Sequence, residues 1–171
     1  MRNTTSGRGR GFSLVEVAVA TAIIGIAVTA LMASLAAGTR SNRASQQLTQ
    51  AVFLAQELRE WTSTLPFKDP DPADANNPPG PDGTSPQSFV DDLDDLTGVT
   101  YSPPVDCTSA PAQRLNGLRG WSETFTLTWR DPNNLTHAVS NGGSEIINVQ
   151  VDIKYQNRIV LTSGWIVAKK E

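Results

Sequence analysis

Cys107 and His137 are the only thiol and the only imidazole in this chain of 171 residues. A single cysteine makes neither an intrachain disulfide nor a Cys-x-x-Cys redox or zinc site, and a single histidine cannot build a His-cluster metal or acid–base centre. His137 falls in a Pro/Asn-rich loop between predicted strands, where a polar surface role is expected. Cys107 stands between Pro104 and Pro111 and reads as a packed or loop thiol rather than a nucleophile. Serine and aspartate are plentiful, but a catalytic triad is defined by geometry and no spacing here marks one. No glycine pattern that would cradle a phosphate appears either.

Carboxylates are the remaining chemistry, and they crowd the middle of the chain. Asp69, Asp71, Asp74, Asn76, Asn77 and Asp82 offer oxygen donors that could hold calcium, yet the string lacks the Gly and terminal Glu spacing of an EF-hand, and a solvated loop is expected instead. Asp91, Asp92, Asp94 and Asp95 form no spaced catalytic pair. They read as the wet face of a short helix that begins near Pro86 and Ser88 and turns Phe89, Leu93 and Leu96 inward. No metal or cofactor is assigned. The formal net charge of −3 lacks the basic footprint of a nucleic-acid binder, and the chain reads as a non-enzyme.

The N-terminus is more informative. Residues 1–10 carry Arg2, Arg8 and Arg10 and no acid, and residues 17–38 follow as an uncharged run without proline. Roughly 22 such residues span a hydrocarbon core of about 30 Å as a helix, and positive charge ahead of the span predicts a cytoplasmic start. Gly25, Ala27, Ala30, Ala33 and Ala37 are small enough to let neighbouring helices approach closely. Glu16 is the exception in this setting: an acid at the head of an apolar helix either faces the positive end of the helix dipole or has a partner elsewhere.

The string Gly11-Phe12-Ser13-Leu14-Val15-Glu16, behind a basic leader, resembles the N-terminal processing motif of type IV prepilins and pseudopilins. The resemblance implies that a prepilin peptidase cuts between Gly11 and Phe12 and methylates the new amine of Phe12. It implies that Glu16 pairs with the N-terminal amine of a neighbouring subunit, which fixes the stagger of assembly. A glycine suits a scissile position because it lets a protease approach the backbone. Losing three of the 14 Lys and Arg residues against 17 Asp and Glu takes the formal charge from −3 to −6. Ser13 stands where the family often has Thr, and the helix-breaking proline of many major pilins is absent, which favours a minor pilin or pseudopilin. Implied partners are the peptidase, other pilin or pseudopilin subunits, the assembly platform and the bacterial inner membrane. The implied topology is a single pass with the C-terminal domain outside the cytoplasm, and then a filament.

The competing reading is an exported or anchored binding domain or enzyme with an ordinary signal, cut after Ser34-Leu35-Ala36. A typical signal core is about 7 to 15 residues, shorter than this span, and Glu16 disfavours insertion.

The elements that must carry this device follow from periodicity. Residues 1–11 are a leader, 12–39 a transmembrane and assembly helix, and 40–64 an amphipathic stalk. In the stalk Ala44, Leu48, Ala51, Ala55, Leu58 and Thr62 recur in steps of four and three, and Leu48, Val52, Ala55 and Leu58 are expected to face the soluble domain. Pro66 ends the helix near Ser63. Residues 65–120 are a Pro/Asp-rich loop region with the short helix. Residues 121–171 switch to period two: Phe125, Leu127 and Trp129 alternate with threonines, and Ile147, Val149, Val151 and Ile153 alternate with polar residues. Residues 158–167 are apolar at both parities, as in a central or double-sided strand, and Gln156-Asn157 supplies a two-residue turn. Trp121, Trp129 and Trp165 are expected in the core or sheet. The fold class is α+β, a long N-terminal helix packed on a small antiparallel sheet, as in pilins.

Overall fold

A computed structural model describes residues 11–71, 78–83, 90–107 and 113–169. Leader residues 1–10, the donors Asp74, Asn76 and Asn77, and the expected helix start at Pro86, Ser88 and Phe89 lie outside the described residues. The chain divides into two compact units, Met1–Ser45 and Gln46–Glu171.

Helix α1 runs Leu14–Thr64. In the first unit it is long and apolar enough to cross a membrane, and its apolar window is unburied by protein. Its three threonine hydroxyls in this unit bond within the helix: Thr21 Oγ1 donates to the Val17 carbonyl at 2.8 Å, Thr29 Oγ1 to the Ile26 carbonyl at 2.9 Å and Thr39 Oγ1 to the Ala36 carbonyl at 3.0 Å. This suits a solvent that offers no hydrogen bonds.

In the second unit the same helix buries Ala51, Leu54, Ala55, Leu58 and Thr62. The expected face is therefore rotated. Leu48 and Val52 remain 48% and 39% exposed, whereas Leu54, absent from the expected stripe, is buried. The four-and-three repeat Ala51, Ala55, Leu58, Thr62 is the part of the pattern that packs, because two alanines let the helix lie close while large side chains fill in from the sheet. Trp61 lies edge-on to Phe125 at 6.3 Å between ring centroids, and Tyr101 does the same at 6.1 Å.

After the helix the chain forms β1 (Thr100–Tyr101), β2 (Val105–Asp106), β3 (Gln113–Arg114), β4 (Trp121–Asp131), β5 (Asn134–Ala138), β6 (Ile146–Tyr155) and β7 (Arg158–Ala168). The main sheet has the order β1-β4-β6-β7, β5 pairs with β4, and β2 with β3 forms a separate ribbon. All pairings are antiparallel. In the register Phe125 opposes Val151, Leu127 opposes Val149 and Trp129 opposes Ile147, so the alternating apolar sets stack into one buried face. Gln156 and Asn157 both take positive φ, 49° and 62°, the conformation that matches a two-residue turn to strand twist. The expected α+β arrangement stands: helix α1 packs against an antiparallel sheet.

Three details differ from the periodicity. Strand β7 is an edge strand rather than a central one, and one face of it, at Thr162, Gly164 and Ile166, is exposed. Its apolar parity switches because the pairing with β6 shifts between Ile153 and Lys154, Ile153 facing Leu161 while Lys154 faces Ile159. Val160 is the extra residue. His137 lies in β5 rather than in a loop, since the β4–β5 hairpin turns tightly and returns. The acid run forms only a 3-10 turn at Asp94–Leu96, and it is not a wet face, since Asp92 and Asp95 are buried. Trp121 and Trp129 are buried, and Trp165, half-buried, donates its Nε1–H to Thr62 Oγ1 at 3.0 Å, joining β7 to the end of α1.

Candidate functional site

The residues singled out by sequence lie at the start of α1. Gly11 and Phe12 precede the helix in irregular backbone, and Phe12 is 85% exposed. A Cβ added to Gly11 would meet nothing within 4 Å. Among the described residues neither packing nor a positive φ requires glycine there.

Ser13 and Glu16 close the helix end on each other. The Glu16 N–H donates to Ser13 Oγ at 3.2 Å, while Glu16 Oε2 accepts the Ser13 N–H at 3.0 Å and the Ser13 hydroxyl at 3.2 Å. Ser13 thus occupies the N-cap and Glu16 the third helical position, a reciprocal capping box that satisfies donors otherwise left bare at a helix start. The carboxylate also lies at the positive end of the helix dipole. Ser-x-x-Glu ahead of an apolar run is a sequence signature for this device, and Ser13 is the capping partner that the reading of Glu16 alone overlooks. Both bonds to the carboxylate fall on Oε2, and Oε1 takes no part in the box.

The remaining candidates are scattered. Cys107 is free, half-buried and packed against the core; burial, with Glu123 and Glu57 nearby, pushes its thiol up, which removes nucleophilic character. His137 is exposed on β5. The acid run clasps backbone. Asp94 accepts the Gly80 N–H at 2.8 Å, and Asp95 accepts the Asp82 and Asp91 N–H groups at 3.0 and 3.1 Å. Asp92 in turn accepts the Asp95 N–H at 3.1 Å. Burial raises both Asp95 and Asp92, the latter to about 7. Among the described residues no group of three or more His, Cys, Asp or Glu side chains is placed to hold a metal ion.

Residues 7–32 match the family described as the prokaryotic N-terminal methylation motif. That stretch contains Gly11, Phe12, the capping box and the first turns of the apolar helix. No curated protein and no solved structure matches the chain significantly. The motif and the helix it heads support a type IV prepilin-like protein. That class is structural rather than enzymatic; it is handled by a prepilin peptidase, and its apolar N-terminal helix fits anchoring in the inner membrane.

Proposed function

We propose that this chain is a minor pilin or pseudopilin, a structural subunit of a type IV pilus-like or type II secretion filament. Prepilin peptidase cuts between Gly11 and Phe12 and methylates Phe12. The mature chain waits in the bacterial inner membrane as a single pass, N-terminus cytoplasmic and sheet domain outside, until an assembly platform inserts it among other subunits. The observation that carries this reading is the methylation motif over residues 7–32; its Phe12 is exposed ahead of the helix, and no other described residue lies within 4 Å of a Cβ added to Gly11.

Glu16 serves assembly in this account. Its Oε2 is engaged by Ser13 within the chain, and Oε1 receives the Phe12 amine of a neighbour. In a low-dielectric bundle an unpaired charge is costly, so the pairing selects one axial stagger. Small residues at Gly25, Ala27, Ala30, Ala33 and Ala37 let the helices close around it.

The test is Gly11→Trp, co-expressed with a prepilin peptidase. The variant should accumulate as an unprocessed, membrane-held precursor while the wild-type chain is shortened. A Gly11→Trp chain that still matures to Phe12 would remove the basis of this proposal.

A further inference from the structure

The buried face of β4 carries one residue that does not belong with its neighbours. Glu123 shares the inward parity of Trp121, Phe125, Leu127 and Trp129, and it is 0% exposed. Neither carboxylate oxygen has a hydrogen-bond partner among the described residues. The Val105 N–H lies close enough to favour the charged form somewhat, yet outside hydrogen-bonding geometry.

The groups that face it make matters worse for an ionised carboxylate. From α1 comes Glu57, a like charge, whose Oε1 accepts the Cys107 N–H at 3.2 Å. From β1 comes Tyr101, the cross-strand partner of Glu123 and itself fully buried. From the segment at β2 come the Cys107 thiol and, next to it, Asp106, and Asp95 acts on Tyr101 from the 3-10 turn. On β6 the facing residue is Ile153, which does not titrate. An unpaired, desolvated carboxylate in such company cannot stay charged without help from water.

We infer that Glu123 is a proton-dependent latch: neutral, it lets residues 101–107 and the stalk half of α1 close over the sheet, and ionised, it forces that segment open to admit water. Burial, opposed in part by Val105 and aided by Glu57, raises the carboxyl from its ordinary 4.5 to about 8 in the closed state. In the open state it returns to the ordinary value. The closed form therefore holds a proton that the open form releases, so closure is strongest below pH 4.5 and weakens as pH rises to about 8. Above that both forms are ionised and the effect levels off. The slope in between is about 10-fold in the opening equilibrium per pH unit.

Cys107 is a built-in reporter, since its backbone N–H rests on Glu57 and its Sγ lies 3.8 Å from the Val105 carbonyl oxygen. The full chain in detergent is treated with N-ethylmaleimide between pH 5.5 and 7.5, and each rate is divided by that of the urea-unfolded chain at the same pH. The protection of Cys107 should fall by about 100-fold across this window in the wild type and change by no more than a few-fold in Glu123→Gln. If Glu123→Gln does not fold, Glu57→Gln serves instead: it keeps the acceptor for Cys107 but removes the facing charge, so the fall should level off at lower pH. Flat protection in the wild type, an undiminished fall in Glu123→Gln, or a Glu57→Gln profile identical to the wild type would overturn the latch.

Discussion

Leu58→Ala and Leu48→Ala separate the observed packing of the stalk from the packing that hydropathy alone suggests. Leu58 is 1% exposed and lies in the core with Leu54, Tyr101 and Phe125, whereas Leu48 is 48% exposed. Deleting a buried leucine side chain removes its transfer free energy and leaves a cavity, together about 3 to 4 kcal/mol in a tightly packed site. Deleting one that water already reaches costs about 1 kcal/mol or less. A domain of this size is stable by only about 5 to 15 kcal/mol, so Leu58→Ala should take a large share. The assay is urea unfolding of a chain that starts at Arg40, since Gln46–Glu171 is a compact unit of its own. With a slope of about 2 kcal/mol/M, the midpoint should drop by roughly 1.5 to 2 M for Leu58→Ala and by about 0.5 M or less for Leu48→Ala. Equal losses, or a larger loss at Leu48, would show that the helix presents a different face to the sheet and would refute the packing described here.

Other perturbations act on single contacts. Trp165→Phe removes the 3.0 Å bond to Thr62 and should cost about 1 kcal/mol in the same unfolding assay. Asp92, raised by burial to about 7 from 3.8, holds a proton in the folded chain that the unfolded chain loses, so it weakens the fold as pH rises from 4 to 7. Asp92→Asn keeps the acceptor for the Asp95 N–H and should shrink the drop in urea midpoint between pH 4.5 and 7.5; an unchanged drop would show that Asp92 does not titrate in that range. Glu16→Ala should leave processing intact and abolish crosslinks between cysteines introduced at Asn42 and Gln46, both exposed, in a Cys107→Ser background with the assembly machinery present. Crosslinks that persist undiminished would contradict the register role of Glu16.

Much of this architecture was legible because periodicity reports which side of an element is dry. Burial alternates along most of β4 and β6, and the Gln156-Asn157 turn between β6 and β7 takes positive φ at both residues. The misreadings have physical causes. Hydropathy weights Leu48 and Val52 above Ala51 and Ala55, but close approach favours the small residues, and the sheet settled on the alanine side. Strand β7 looked central or double-sided because a bulge at Val160 exchanges inward and outward positions and Ile166 is apolar on the exposed side. Aspartates normally mark wet surface, yet Asp92, Asp94 and Asp95 accept backbone N–H groups, bonds that no composition reveals. Glu123 was detectable: it falls two residues from both Trp121 and Phe125, on the apolar parity. At the candidate site Glu16 stood out as an acid at the head of an apolar run, and Gly11 and Phe12 through the resemblance of the string they open. The capping role of Ser13 was equally present in Ser-x-x-Glu, overshadowed by the acid it serves.

The most direct measurement is the mass of the N-terminal peptide from the chain isolated out of membranes that contain a prepilin peptidase. The account predicts a peptide that begins at Phe12 and carries one extra methyl group on its α-amine. A chain that begins at Met1, or at Ala37 after signal-peptidase cleavage, would contradict it.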